Sequence, residues 1–252
     1  TTHPEIRDRF RHTAAHNGAT IDGESSSEMR GPFTWGRRAT SHVERYSAET
    51  GDAYLRARHE GFLQMPQRVA YTRTIFFVRE GLWILRDAFE GAAPISAEVH
   101  FQCASDVTAE LTTPRTALLH DRTRPAAHVW TVDAATLVVG PGEVSPAFGA
   151  TVSGPHLRVS GSPAQNVTLY SVIASPLMGV ERVESNGNGL GTVTRQGVTD
   201  YFGFGPFEDD ALRIRTDAEG WWLQCDRASG GVRAWMGAEC TRFQFGDVVL
   251  KP

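Results

Sequence analysis

Lysine is almost missing from this chain: Lys251 stands alone among 25 basic residues, so the other 24 are arginine. Codon composition accounts for such a bias, and the planar arginine fork also suits carboxylates and sulfates. Cysteine is scarce too. Cys103, Cys225 and Cys240 are odd in number and irregularly spaced, which excludes a zinc-binding repeat and a disulfide framework. Three buried thiols are the plain expectation, with a Cys225–Cys240 bridge open only if their strands are neighbours. No apolar run reaches the roughly 20 residues that cross a bilayer. Runs such as Leu137–Val139 fit buried strands instead. The net charge of −4 and pI near 6.1 lack the basic surplus of a dedicated nucleic-acid binder. Nothing near Thr1 resembles a signal peptide, and the start is expected to be internal to a longer polypeptide. There is no Gly-x-Ser-x-Gly elbow, phosphate loop or dinucleotide fingerprint. Gly187–Gly191 has the glycines of one, but no helical pattern follows it.

What the chain does have is alternation. Short runs of apolar and polar residues in turn are separated by Gly, Pro, Ser and Asp. Thr72–Val78 and Leu82–Leu85, joined by Arg79-Glu80-Gly81, read as a hairpin, since Gly accepts the positive φ of a tight turn. Further runs fall at 95–101, 127–132, 136–139, 156–159 and 167–174, with later ones at 212–215, 221–224 and 232–235. Only Pro4–Ala15 suggests a helix, with Pro in its first turn and Ile6 and Phe10 four apart. No propeller-like period repeats. The expected fold is all-β: an antiparallel β-sandwich of stacked sheets over residues 1–177, followed by a smaller β unit over 178–252.

Chemistry concentrates in Thr13-Ala14-Ala15-His16-Asn17-Gly18-Ala19-Thr20-Ile21-Asp22-Gly23. His16 closes the helical entry, and a strand begins at Asn17 and turns at Asp22-Gly23. A histidine at such a junction can offer one ring nitrogen to a cation while a neighbour fixes the other. A structural hydrogen bond explains a lone histidine equally simply.

This segment resembles the heparinase II/III-like polysaccharide lyases of bacteria. Their Ser/Thr-x-x-His-Asn-Thr-hydrophobic-x-hydrophobic-Asp-Gly stretch matches at Thr13, His16, Asn17, Ala19, Ile21, Asp22 and Gly23. The resemblance continues in order: an arginine-bearing strand at Pro66-Gln67-Arg68-Val69, a tryptophan hairpin ending at Asp87, a histidine strand at Ala97–Phe101, and Val144-Ser145-Pro146-Ala147-Phe148-Gly149. It covers residues 1 to about 175. Gly18 stands where the family has Thr, Ser26 where many members have Gln, and Gln67 where a His commonly precedes the arginine.

The resemblance implies an N-terminal helical toroid in the parent protein, or on a companion chain, packed against β-sheet layers that wall a sugar cleft. It implies β-elimination of a uronic-acid polysaccharide, with base and acid supplied largely by the toroid. It also implies that His16 is the third ligand of one divalent metal, zinc or calcium, whose other His and Asp ligands precede Thr1. One histidine does not hold zinc tightly, since stable sites use three or four protein ligands. The isolated chain is therefore expected to be inactive.

Other residues are candidates for contact with an acidic polysaccharide. Trp35, Arg37 and Arg38 sit on one polar, aromatic strand, although an edge strand with solvated arginines would look the same. Asn17 could orient His16 or touch the sugar, and a turn also explains it. His100 reads as a satisfied core residue. Of Trp221 and Trp222, at most one is expected to be exposed, because adjacent strand residues point to opposite faces. Glu208-Asp209-Asp210 reads as a solvated turn or a calcium-binding one. A non-catalytic carbohydrate-binding or structural module is the rival reading. A sandwich-based glycoside hydrolase needs a carboxylate pair across a cleft, and none stands out.

Overall fold

The computed structural model describes residues 3–49, 51–79, 81–122, 124–133, 135–147, 149–187 and 189–250. Glu80 of the hairpin turn, Phe148 of the Ser-Pro motif, Asn188 and Lys251 lie outside them. Strand makes up 60% of the chain and helix 7%, so the all-β expectation holds. The chain divides into two units, Thr1–Pro176 and Leu177–Pro252.

The first unit opens with helix α1 (Pro4–Arg11) and a 3₁₀ turn, Thr13–Ala15. Proline and Glu5 begin α1 and Arg9 and Arg11 end it, which suits both the free N–H groups and the helix dipole. No α1 residue is fully buried.

Twelve strands follow among the described residues: β1 (Ala19–Ile21), β2 (Ser41–Glu49), β3 (Asp52–His59), β4 (Ala70–Val78), β5 (Leu82–Ile95), β6 (Ala97–Gln102), β7 (Val107–Thr113), β8 (Thr116–Asp121), β9 (Arg124–Thr131), β10 (Thr136–Val144), β11 (Val152–Ser160) and β12 (Ala164–Ala174). They form a four-stranded sheet, β1-β6-β11-β10, and an eight-stranded one, β2-β3-β4-β5-β12-β9-β8-β7, antiparallel throughout.

Alternation explains the layering. Ile21, Val99, Leu137, Leu157 and Val159 of the small sheet share one core with Tyr71, Phe89, Ala117, Leu119, Val129 and Leu169 of the large one. Each such side chain taken fully from water contributes about 1.5–3 kcal/mol. The stretch expected as one strand from Ile95 to Phe101 is in fact a corner. β5 ends at Ile95 in the large sheet and β6 starts at Ala97 in the small one, so the chain changes layer at Ser96.

β2 is a sheet edge whose every residue is exposed, including Val43 and Tyr46. Glu44 and Arg45 charge that edge, which discourages unplanned pairing.

The second unit carries β13 (Val180–Ser185), β14 (Leu190–Arg195), β15 (Val198–Gly203), β16 (Phe207–Asp209), β17 (Ile214–Thr216), β18 (Gly220–Asp226), β19 (Val232–Ala238), β20 (Phe243–Phe245) and β21 (Val248–Leu250). Its sheets run β13-β14-β15-β18-β19 and β16-β17-β20-β21. Trp221 and Trp222 do point to opposite faces of β18, yet both are buried, at 0% and 2% exposure. Trp221 packs on Phe207 and Phe243, at ring distances of 5.4 and 5.8 Å. On the other face Trp222 Nε1 donates to Asp200 at 3.1 Å. Asp200 is also gripped by Arg195 through Nε (2.6 Å) and Nη2 (3.0 Å), a two-pronged pair that satisfies a buried carboxylate. Neither tryptophan is a sugar platform.

All three cysteines are unpaired. In the acidic run, Arg215 takes Glu208 and Asp210 (3.0 and 2.9 Å), and Asp209 Oδ1 accepts the Leu212 N–H at 2.9 Å. These contacts build a turn.

Candidate functional site

The segment from Thr13 to Gly23 is pinned at three places. At its start, Thr13 Oγ1 accepts the Ser26 N–H at 3.0 Å and meets the Ser25 and Ser26 hydroxyls at 2.9 and 3.0 Å. This clasp ties the entry of β1 to the loop that follows it. Ser26, a departure from the family pattern, is thus a structural partner of Thr13.

In its middle, the Asn17 side-chain oxygen accepts the Gln102 N–H at 2.8 Å, and the Asn17 carbonyl accepts from Arg73 Nη1 at 2.9 Å. Arg73 is itself fixed. Its Nε donates to Asp87 Oδ1 at 2.6 Å, and Tyr71 OH donates to the same oxygen at 2.6 Å. Asp87 is fully buried, so its charge depends on these partners. Burial, reinforced by the Asp87 carboxylate, holds the Tyr71 hydroxyl well above its ordinary pKa, so it remains a donor.

At its end, Asp22 and Gly23 both have positive φ, 53° and 78°, and the Glu24 N–H closes the turn on the Ile21 carbonyl at 2.9 Å. Asn, Asp and Gly best tolerate that left-handed pair. Asp22 also takes both backbone groups of the corner residue: its N–H donates to the Ser96 carbonyl and its Oδ1 accepts the Ser96 N–H, each at 2.8 Å. Gln67 Nε2 donates to Asp22 Oδ2 at 2.9 Å.

These contacts fix the backbone of the segment and leave His16 and Asn17 exposed. The His16 backbone is engaged at both ends, through Thr13 and Gly18, and its ring has no partner among the described residues.

Two expectations need correction. Trp35, Arg37 and Arg38 do not lie on a strand; they occupy an irregular loop in which Trp35 makes one isolated bridge to Met29. Trp35 keeps 38% exposure, but the Arg11 guanidinium lies 4.0 Å from its ring centre. Arg37 turns inward, its Nη2 donating to the Ser25 carbonyl at 3.1 Å. Arg38 is exposed, with its carbonyl accepting from Gln64 Nε2 at 3.4 Å. The polar, breaker-rich sequence around them, from Ser25 to Pro32, favours local turns over a ladder. Second, Arg68 is not on a strand but in the left-handed region (φ 48°) ahead of β4. The arginine that reaches the motif is Arg73, five residues later. Sequence reasoning missed it because its target is 56 positions away.

No direct bond joins His16 or Asn17 to Trp35, Arg37 or Arg38 among the described residues. They connect through Thr13 and Ser25. His100 is buried and bonded as expected, with Nε2 2.9 Å from Thr20 Oγ1. Among the described residues, no three His, Cys, Asp or Glu side chains are placed to hold a metal. This chain's described residues alone do not make a zinc or calcium site.

A family model described as "Heparinase II/III-like, C-terminal" matches residues 1–173. None of the curated proteins matches. Among solved structures, the chain is similar to the heparan sulfate lyase HepC from Pedobacter heparinus (TM-score 0.58, 11% identity) over 92% of this chain and 32% of that one. A HepC mutant from the same organism gives a TM-score of 0.59 at 12% identity over 93% and 32%. The heparinase III BT4657 gene product gives 0.52 at 13% identity over 92% and 32%. The chain thus spans about a third of the length of these enzymes. With more than half of its residues under that model, and the histidine-asparagine segment at its surface, this chain belongs to the heparinase II/III-like C-terminal family.

Proposed function

We propose that this chain is the C-terminal β part of a bacterial polysaccharide lyase that cleaves a uronic-acid-containing polymer, heparin- or heparan-like or alginate-like, by β-elimination. The observation that carries this reading is the His16–Asn17 segment, held from below by Arg73 and Asp87 and from the side by Gln102, with both residues exposed. A surface segment held this firmly is what a substrate- or metal-contacting position requires.

In this reading residues 1–177 form a sandwich domain that walls the cleft, and residues 178–252 form a smaller domain. The toroid of the parent protein, or a companion chain, supplies the catalytic base and acid. The base takes the proton at C5 of the uronate, the acid protonates the departing O4, and polar groups neutralise the carboxylate. Asn17, Trp35 and Arg38 contact the polymer, Arg38 most freely, and Arg37, turned onto the Ser25 carbonyl, reaches it only with the part of its side chain left exposed. His16 offers one imidazole to a divalent ion, and imidazole favours zinc over calcium. The remaining ligands lie outside this chain's described residues, and no step is assigned to the ion.

The test is an assay of the intact parent protein against heparin, heparan sulfate, chondroitin and alginate, read by the absorbance of the unsaturated product. Product with one polymer supports the lyase. Binding of an acidic polymer without product favours a carbohydrate-binding module instead.

A further inference from the structure

His100 and His156 form a direct ring-to-ring hydrogen bond, Nδ1 to Nε2 at 3.0 Å, with their rings 5.1 Å apart and inclined by 29°. Because His100 Nε2 also meets Thr20 Oγ1 at 2.9 Å, one hydrogen-bonded chain crosses β1, β6 and β11. His100 is only 2% exposed even though it is on the outer side of its sheet, opposite the core residues Val99 and Ala97. The N-terminal segment covers it: Gln102 Nε2, two residues along β6, donates to the Ala14 carbonyl at 2.9 Å.

That cover is held by polar contacts. Arg9 pairs with Glu143 at 2.5 Å, Arg11 Nη1 donates to the Gly31 carbonyl at 2.7 Å, and Thr13 clasps Ser25 and Ser26. A cavity of about 760 Å³ separates α1 from the end of β10 and β11, with Phe10, His12, Gly142 and His156 in its lining. Helix α1 has no fully buried residue and lies over that cavity, whereas Asn17 and Gly18 beyond it are bonded to Arg73, Gln102 and His100.

We propose that the Thr20–His100–His156 chain is a proton-sensitive latch, whose protonation releases the covering segment from α1 to Ala15, and with it one support of His16, from the four-stranded sheet. In the neutral pair one proton lies between the facing nitrogens, and Thr20, as donor or acceptor, completes either arrangement. One added proton leaves an N–H···N bond between the rings, but protonation of both puts a hydrogen on each facing nitrogen, setting N–H against N–H and two cations side by side. The surrounding charges are set against this. Arg158 on β11 opposes a cation, and His12 of the covering segment adds to that when charged. Glu98 on β6 lies 3.8 Å from His100 Nδ1, but the same oxygen is shared with Arg158 at 3.9 Å. Asp8, Arg9 and Glu143 border the cavity that His156 lines, with Asp8 bonded to Arg7 and Arg11, and Arg9 and Glu143 bonded to each other.

Burial and then His156 push the His100 pKa down to about 4, and burial followed by Arg158 lowers that of His156. Uncovered, both imidazoles lose the burial that is the largest cause of their lowering, and their pKa values rise toward the ordinary 6.5. The closed state therefore binds fewer protons than the open one between about pH 6.5 and 4, and closure weakens as pH falls through that window. The latch is a property of this chain alone; only its effect on substrate or metal contact rests on the proposed lyase role.

Hydrogen exchange of the full chain, corrected for intrinsic rates, tests it without any substrate. From pH 7 to pH 5 the opening equilibrium of the segment from α1 to Ala15 is expected to rise at least about tenfold, while β6 and β11 stay protected. His156→Gln keeps one hydrogen bond to His100 and does not titrate, so it lowers that rise to the part carried by His100 alone. His12 is the control, because its Nδ1 accepts the Ala14 N–H and its own protonation would undo that cap. His12→Asn retains a capping acceptor and should leave the rise intact. Equal protection at both pH values, or a rise abolished by His12→Asn but not by His156→Gln, overturns the proposal. Should His156→Gln fail to fold, histidine-labelled NMR of the unmodified chain decides. Coupled tautomer changes that track the loss of protection support the latch, and two independent titrations near pH 6.5 refute it.

Discussion

Arg73 binds the Asn17 carbonyl at 2.9 Å with one nitrogen and the buried Asp87 carboxylate at 2.6 Å with another, joining the large sheet to the exposed His16–Asn17 segment. Only a guanidinium spans both acceptors in fixed geometry. Removing Arg73 leaves Asp87 with the Tyr71 hydroxyl as its remaining hydrogen-bond partner among the described residues. Arg73→Ala is expected to destabilise the first unit by about 3 kcal/mol or more in urea unfolding, the usual loss when one partner of a buried pair goes. Arg73→Lys should lose less, because an ammonium satisfies one acceptor. Equal stability of all three chains would show that the pair is not what anchors the segment.

Asp22 offers a second check. It binds both backbone groups of Ser96 at the point where the chain passes between sheets. Asp22→Ala removes a charged acceptor and puts a residue without local hydrogen bonding at φ 53°. A loss of about 1.5–3 kcal/mol is expected. Asn tolerates the left-handed region and keeps one acceptor, so Asp22→Asn should recover much of it. Thermal unfolding of the two variants measures the difference.

In the second unit, Gly203 faces Trp221 across the β15–β18 ladder. A Cβ added there would lie 2.6 Å from the indole ring. Gly203→Ala should therefore cost about 1–3 kcal/mol through overpacking. Trp221 itself is the reporter, since a displaced indole alters near-ultraviolet circular dichroism. An unchanged spectrum and unchanged stability would mean that the ring moves aside freely.

Acid should weaken the same unit through Asp217. Its carboxylate accepts from the Thr241 hydroxyl and from the Arg242 and Thr241 N–H groups, which draws its pKa from 3.8 down to about 2. A carboxyl lowered on folding contributes stability above its unfolded value and loses it as pH falls through the folded one. The window is thus about pH 4 to 2. Asp217→Asn should flatten the stability-versus-pH curve there without changing its slope near neutrality, as followed by unfolding at a series of pH values.

Catalysis gives the last prediction. The 252-residue chain alone should release no unsaturated uronate from any of the four polymers, whereas the parent protein should. In the parent, His16→Ala is expected to lower bound metal in elemental analysis. Product from the isolated chain, lost on His16→Ala, would move the chemistry into this unit.

Period-two alternation alone determined the class of the fold. Runs such as Thr72–Val78 bury alternate side chains and become strands almost unaided, and Pro4 with Ile6 and Phe10 placed helix α1. The Asp22-Gly23 turn was equally legible, because few other residue pairs accept two positive φ angles. The polar strands β2 and β7 gave no such signal, since edge positions bury too little to require a pattern. Tertiary structure decided the rest. It put the corner at Ser96, where Asp22, 74 residues away, binds both backbone groups. It chose Arg73 over Arg68, broke the expected strand around Trp35, and buried both Trp221 and Trp222. Each of these depends on partners distant in the chain, and local sequence carries no record of which distant group will arrive to pair a charge or cover a ring.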